Sequence, residues 1–518
     1  MAVEDSGIVP LPAPLGTWRF YEPLLLLYCL KSVLPMNNGT RPSDLEGIAD
    51  KEPREAFFCF VNKLSQVCDS ERGGGTITAF GVLQTGSIEY RFASNQRDSQ
   101  SLDGVRRYVI DLLETLGQAP DATFRDANQR AALTAQILGK ILGFNQQRIK
   151  IYLRCLLKHI DFCIDGCHAE GTTDFISRTI ELLRAVKPLY DDDRSRDFMR
   201  EKAREDREKA REDREDREDR EESNGNRWSE LCHFLGRLHS YSVATKVFLC
   251  ARGRWPELFE AFEVTYILSS KPNTQTPSVR RSAARMLERL TNDPEVLNAY
   301  YKEAERLQGL GLDKKIQEKV KPRNFAPIIH AEVNLCDDIL REERNPHGEG
   351  RVRFFNESVF GRYIGSSKPT CRLCDLYFHA PSGPNIEVRK SHLNLYYNWR
   401  APDVYRQDGA AAEQARKTIL ESMIASIKHQ TMKTIVDRLA VGKRYDSNTT
   451  TSYPFSTRFY YGAGSARAPD GMSSIREVGG DSENGEGGSR SEVTAGVVDD
   501  LASTLGQVDL GSESGRPD

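Results

Sequence analysis

Four residues have the types and spacing to do chemistry together: His330, Glu332, Cys371 and Cys374. The first two lie in Ile328-Ile329-His330-Ala331-Glu332-Val333, the cysteines in Pro369-Thr370-Cys371-Arg372-Leu373-Cys374. One imidazole and two thiolates make three zinc ligands, and three protein ligands leave the fourth tetrahedral position open to water. Glu332 is the right type to shuttle a proton to and from that water. Residues two apart on a regular helix point to different sides, so His330 and Glu332 share a site only if His330 stands at the helix start. Pro327 ends anything helical before it and makes 325–329 a suitable entry. Cys371 and Cys374, three apart, share one face of a first turn, where the positive helix end favours thiolate. Gly361-Arg362-Tyr363-Ile364-Gly365 reads as a short strand delivering the chain to that turn.

This pattern resembles the zinc-dependent cytidine deaminase-like superfamily, in which His-x-Glu is followed by Pro-Cys-x-x-Cys. It is most similar to a fungal nucleic-acid or nucleotide deaminase-like branch, where the cysteine pair follows Ser-Lys and where Ser-His and a tryptophan come downstream. Here these are Ser367-Lys368, Ser391-His392 and Trp399. The chain departs from the pattern in one place: its proline stands two residues before the first cysteine, not one. The resemblance implies that His330, Cys371 and Cys374 hold a zinc ion that lowers the pKa of a bound water. Glu332 would then carry protons from that water to a ring nitrogen and to the departing amine.

The implied substrate is a nucleobase, a nucleotide or a nucleic acid. Asn95, at the end of a second strand, matches a substrate-binding asparagine of relatives; its alternative is an ordinary turn residue. Ala331, Arg389, His392 and Trp399 complete the candidate substrate-binding set. Trp399, with Tyr377, Phe378, Tyr396 and Tyr397, could present base-stacking faces or pack in the core. Arg389 belongs to a local basic excess with Arg353, Arg362, Lys368, Arg372 and Arg400, which suits a phosphate-bearing substrate or is scattered surface charge.

The elements that must position these residues follow from periodicity. Residues 1–52 form an N-terminal helical segment with a helix over Trp18–Val33. Pro53–Cys68 is a helix, with Phe57, Phe60, Val61, Leu64 and Val67 in helical rhythm. Gly73-Gly74-Gly75 breaks it. Thr76–Leu83 and Ile88–Phe92 around Thr85-Gly86 make a β-hairpin. A helix and hairpin before a His-Ala-Glu helix is the order of the deaminase-like fold. The resemblance therefore implies an α/β domain, an α-β-α sandwich, split into 53–96 and 324–440. Ile386–Arg389 and Leu393–Tyr396 read as its short strands, and Ala410–Leu439 as a long helix.

Between the halves, 97–323 reads as an all-α insertion, Pro256–Tyr266 and Val279–Thr291 included, so the chain is mostly α-helical. The charged repeat at 200–222 reads as an exposed helical spacer or disordered stretch. From 441 a C-terminal extension begins, acidic, Gly/Ser-rich and disordered from about 462.

Apolar residues make up 39% and charged residues 28%, consistent with part of the length being unfolded. A net charge of −3 gives no whole-molecule attraction to nucleic acid or an anionic membrane. Eleven scattered cysteines do not make a secreted disulfide framework and fit a reducing interior, cytoplasmic or nuclear. Leu24-Leu25-Leu26-Leu27 is too short a run to span a membrane and lacks the basic start of a signal peptide; it reads as a buried core helix. Two other classes compete with the enzyme. One is an inactive deaminase fold with a structural zinc, binding a protein partner through the helical insertion. The other is a Cys-x-x-Cys thiol oxidoreductase, which metal analysis separates.

Overall fold

In the computed structural model the described residues are 8–9, 18–38, 51–84, 86–169, 225–273, 279–291, 293–344 and 352–442. The expectations for 200–222 and for the tail from 462 lie outside them. The chain divides into two compact units, 1–148 with 243–448 and 149–242 with 449–518. In the second, the Tyr152 hydroxyl accepts from Arg237 Nη2 at 2.9 Å, and Phe234 lies beside the rings of His159 and His233. The first unit carries the candidate site.

The described strands are β1 (Met36–Asn38), β2 (Thr78–Gln84), β3 (Ile88–Ser94), β4 (Phe262–Ile267), β5 (Tyr363–Ser366), β6 (Glu387–Val388) and β7 (Ala440–Gly442). Five form a mixed sheet in the order β4-β3-β2-β5-β6. β2 runs antiparallel to β3 and β5, whereas the β3–β4 and β5–β6 pairs are parallel. β1 and β7 form a separate parallel pair.

Successive strand residues point to opposite faces, and both faces here are covered. Phe80 pairs with Phe92 and with Gly365, and the two phenyl rings stack with centroids 5.1 Å apart. On that face lies α2, after α1 (Trp18–Leu30) and before α3 (Ser99–Gly117); α2 spans Pro53–Val67. A Cβ on Gly365 would stand 2.7 Å from Val61 Cγ1 and 2.9 Å from the Val61 carbonyl carbon. Only glycine lets β5 lie this close to α2. Gly81 opens on the other face, where a Cβ would meet Ile339 at 3.6 Å and Leu335 at 3.9 Å. Those two residues belong to the Ala331–Arg344 helix. Arg91 also faces that helix: its guanidinium bridges Glu89, at 2.7 Å, to Asp338, at 3.1 Å, and to Glu342. The result is an α-β-α arrangement within a mostly helical chain, the fold class expected.

α1 is buried through Leu24, Leu25, Leu26 and Leu27 and packs along the Gly409–Asp437 helix, where the Thr431 hydroxyl donates to the Pro23 carbonyl at 3.3 Å. No described helix is long and apolar enough to cross a membrane.

Three local expectations fail. The stretch Pro256–Tyr266 is not a helix: Pro256–Phe259 makes one 3-10 turn, and Phe262–Ile267 is β4, parallel to the open edge of β3. Phe262-Glu-Val-Thr-Tyr-Ile alternates with period two, and pairing satisfies edge groups that a helix there would leave exposed. Helix in 279–291 shrinks to Ala283–Leu287. Leu393–Tyr396 is not a strand, because Leu393 takes a left-handed φ of 64°, which breaks an extended run.

Candidate active site

His330 immediately precedes the Ala331–Arg344 helix, and its carbonyl accepts the Asn334 N–H at 2.8 Å. It is therefore half-in at the helix start, which frees its ring from the regular helical direction. The approach is held from two sides. Ile328 bridges to Trp399, with Ile328 N–H donating to Asn398 O at 3.2 Å and Arg400 N–H to Ile328 O at 2.9 Å. Ser270 Oγ accepts the Ile329 N–H at 2.8 Å.

Cys371 is the N-cap of the Arg372–Phe378 helix, in extended backbone (φ −74°, ψ 162°), and its Sγ accepts the Cys374 N–H at 3.5 Å. β5 delivers the chain to this turn. His330 Nδ1 lies 3.5 Å from Cys371 Sγ and 3.4 Å from Cys374 Sγ. The three donor atoms fall within 4.8 Å of one another, a group able to hold a metal ion. Tetrahedral zinc, with Zn–S of about 2.3 Å and Zn–N of about 2.1 Å, requires nitrogen and sulfur roughly 3.6 Å apart. The cluster fits that ion in donor type and in spacing.

Glu332 is buried and interacts with the Cys374 thiol. Burial pushes its carboxyl above the usual range, against the opposing charge of His330. Burial also disfavours charge on Cys371, but hydrogen bonding from Cys374 and the His330 charge outweigh it and hold that thiol far down. Cys374 is pushed well up by burial and by its neighbour Cys371. His330, opposed by burial, is raised by the Cys371 charge.

The candidate substrate residues stand as follows. Asn95 is buried: its Oδ1 accepts the Ala331 N–H at 2.8 Å and its Nδ2 donates to Gly74 O at 2.9 Å. Ala331 is fully buried beside it. His392 is buried, with Nδ1 accepting the Asn394 N–H at 2.9 Å. The Tyr396 ring lies between, 6.0 Å from the His392 ring and 6.3 Å from that of His330. Trp399 has 0% exposure, and its Nε1–H donates to Cys374 Sγ at 3.3 Å. Arg389 is one step removed, half-buried, with Nη1 donating to Ser366 O at 3.1 Å. Much of the basic excess is tied into the fold: Arg362 pairs with Glu343 at 2.7 Å, Arg400 with Asp403 at 3.0 Å, and Arg372 donates to Val441 O at 3.1 Å.

Cys336 is buried on the His330 helix, and burial pushes its thiol up. Cys163, Cys167 and His168 lie in the Gln146–Ala169 helix, their side chains outside the described set. Ser269 and Ser270 were not singled out by sequence. Ser269 Oγ accepts the Arg97 N–H at 3.0 Å and donates to Ser94 O at 2.8 Å, so the pair ties the end of β3 to the segment before His330. A Ser-Ser pair after a strand carries no signal for this role.

A mixed sheet between helices brings a histidine and two cysteines together at two helix starts. Residues 329–403 match the sequence model of an OTT_1508-like deaminase domain, a cytidine deaminase-like family. The match takes in both motifs and Trp399 but not the hairpin. No curated protein and no solved structure matches the chain.

Proposed function

We propose that this chain is a zinc-dependent hydrolytic deaminase acting on the amino-bearing ring carbon of a nucleobase, carried as a free base, a nucleotide or part of a nucleic acid. The observation that carries this reading is the buried Glu332 carboxyl against the Cys374 sulfur of a His/Cys/Cys group. A purely structural metal site has no need of that carboxylate. The catalytic domain comprises 53–96 and 324–440, with β4 added from the insertion.

His330, Cys371 and Cys374 would hold the zinc. When bound, the ion supplies an acidified water and polarisation of the reacting centre. Glu332 takes one proton from the water and delivers it to the ring nitrogen, then takes the proton of the added hydroxyl and delivers it to the leaving amine, so that ammonia departs as the ring carbonyl forms. Asn95 fixes the Ala331 backbone at the site floor. Tyr396, between the rings of His330 and His392, would line the pocket with His392, and Arg389 would meet a phosphate or nucleic-acid backbone. The test is ammonia release by the zinc-loaded protein from a panel of bases, nucleosides, nucleotides and single-stranded DNA and RNA. Release from at least one amino-bearing member is expected. Failure on the whole panel, with one zinc bound per chain, would favour a retained but inactive fold.

A further inference from the structure

We infer that Trp399 is a positioning residue: its indole N–H fixes where the Cys374 sulfur points within the His/Cys/Cys group, and its backbone ties that sulfur to the segment carrying His330. The inference rests on the metal-site reading above and deepens it.

An indole offers one donor and no acceptor. Trp399 is completely buried, so that N–H must find its partner inside the protein, and the partner is Cys374 Sγ at 3.3 Å. A thiol sulfur is a weak acceptor, whereas a thiolate takes a charge-assisted hydrogen bond. The 3.3 Å contact thus fixes the orientation of that sulfur. Cys371 Sγ receives the amide N–H of Cys374 at 3.5 Å, so each sulfur of the pair has an N–H donor of its own. Such outer partners orient metal ligands and tune their charge.

The ring is fixed where it stands. Phe20 lies 5.7 Å from it and Tyr377 6.2 Å, centroid to centroid, and the Tyr21 hydroxyl donates to Trp399 O at 3.2 Å. The same residue bridges to Ile328, two positions before His330. Trp399 therefore joins the two separate sources of the ligand set, through its main chain on one side and its side chain on the other. It has no exposed face on which a base could stack, and this departs from the substrate-binding role expected for it.

The test uses the full-length protein loaded with cobalt(II), whose sulfur-to-metal charge-transfer band reports the electron density on the thiolates. Trp399→Phe keeps the aromatic bulk and deletes the donor. The band is expected to move to lower energy, and zinc affinity to fall roughly 10- to 100-fold. An unmoved band with unchanged affinity overturns the proposal. Should the variant not fold, wild-type protein loaded with a spin-half cadmium isotope decides. A coupling from cadmium to the Trp399 indole proton through N–H···S is expected, and its absence overturns the proposal. If wild type takes up cobalt with no sulfur band at all, the metal-site reading itself fails, which is a different result.

Discussion

Asn95 Oδ1 and the Ala331 N–H, 236 residues apart in the chain, are joined by a 2.8 Å hydrogen bond at the start of the helix that follows His330. The bond closes the end of β3 onto the segment that carries His330, across everything that intervenes in sequence. It caps a helix start whose first N–H groups have no partner within the helix.

Asn95→Ala deletes this acceptor in a buried setting. A buried donor left unsatisfied costs about 1–3 kcal/mol. Denaturant titration should show a loss in that range, and Asn95→Asp, which keeps the acceptor oxygen but turns a carboxylate oxygen toward the Gly74 carbonyl, should lose stability as well.

The approach of β5 to α2 gives a paired prediction. Gly365→Ala drives a Cβ to 2.7 Å from Val61 Cγ1 and 2.9 Å from Val61 backbone. Overpacking of this kind costs typically about 1–3 kcal/mol. Gly81→Ala meets Ile339 at 3.6 Å, ordinary contact, and should be near neutral in thermal melts of both variants.

Metal removal should destabilise the domain, because ligand binding free energy is folding free energy. Chelation is expected to lower the melting temperature and to expose Cys371 and Cys374 to thiol reagents. Zinc readdition should reverse both, and Cys374→Ser should show neither the zinc-dependent shift nor stoichiometric zinc.

Asp337 sets a pH signature. Burial, partly offset by Arg341, raises its carboxyl from 3.8 to about 6 in the folded chain. The folded state therefore holds this proton more tightly than the unfolded one. Its contribution is fully present below the unfolded value and is lost as pH rises through about 6. Stability measured between pH 4 and 6 should fall less steeply for Asp337→Asn than for wild type.

The clustering of His330, Cys371 and Cys374, with Glu332 beside them, was legible in sequence because its signal is local: His330 and Glu332 stand two apart, Cys371 and Cys374 three apart, each pair beside a helix start. The hairpin was legible from its alternation around Gly86. β4 was not, because six alternating residues inside a long helical stretch look like a helix fragment until the open edge of β3 is in view. Nor was the task of Trp399 legible: a tryptophan in sequence does not say whether its ring faces a pocket or its N–H faces a sulfur. The Ser270 bond to Ile329 N–H is likewise a product of tertiary placement, since nothing near Ser270 marks the residue it meets.

The most direct test of the proposed chemistry is ammonia release by wild type against Glu332→Gln at equal, measured zinc occupancy. The variant should keep its zinc and fold while its rate falls about 10²- to 10⁴-fold, the usual contribution of a positioned acid–base group. A Glu332→Gln protein that releases ammonia at the wild-type rate would contradict the account.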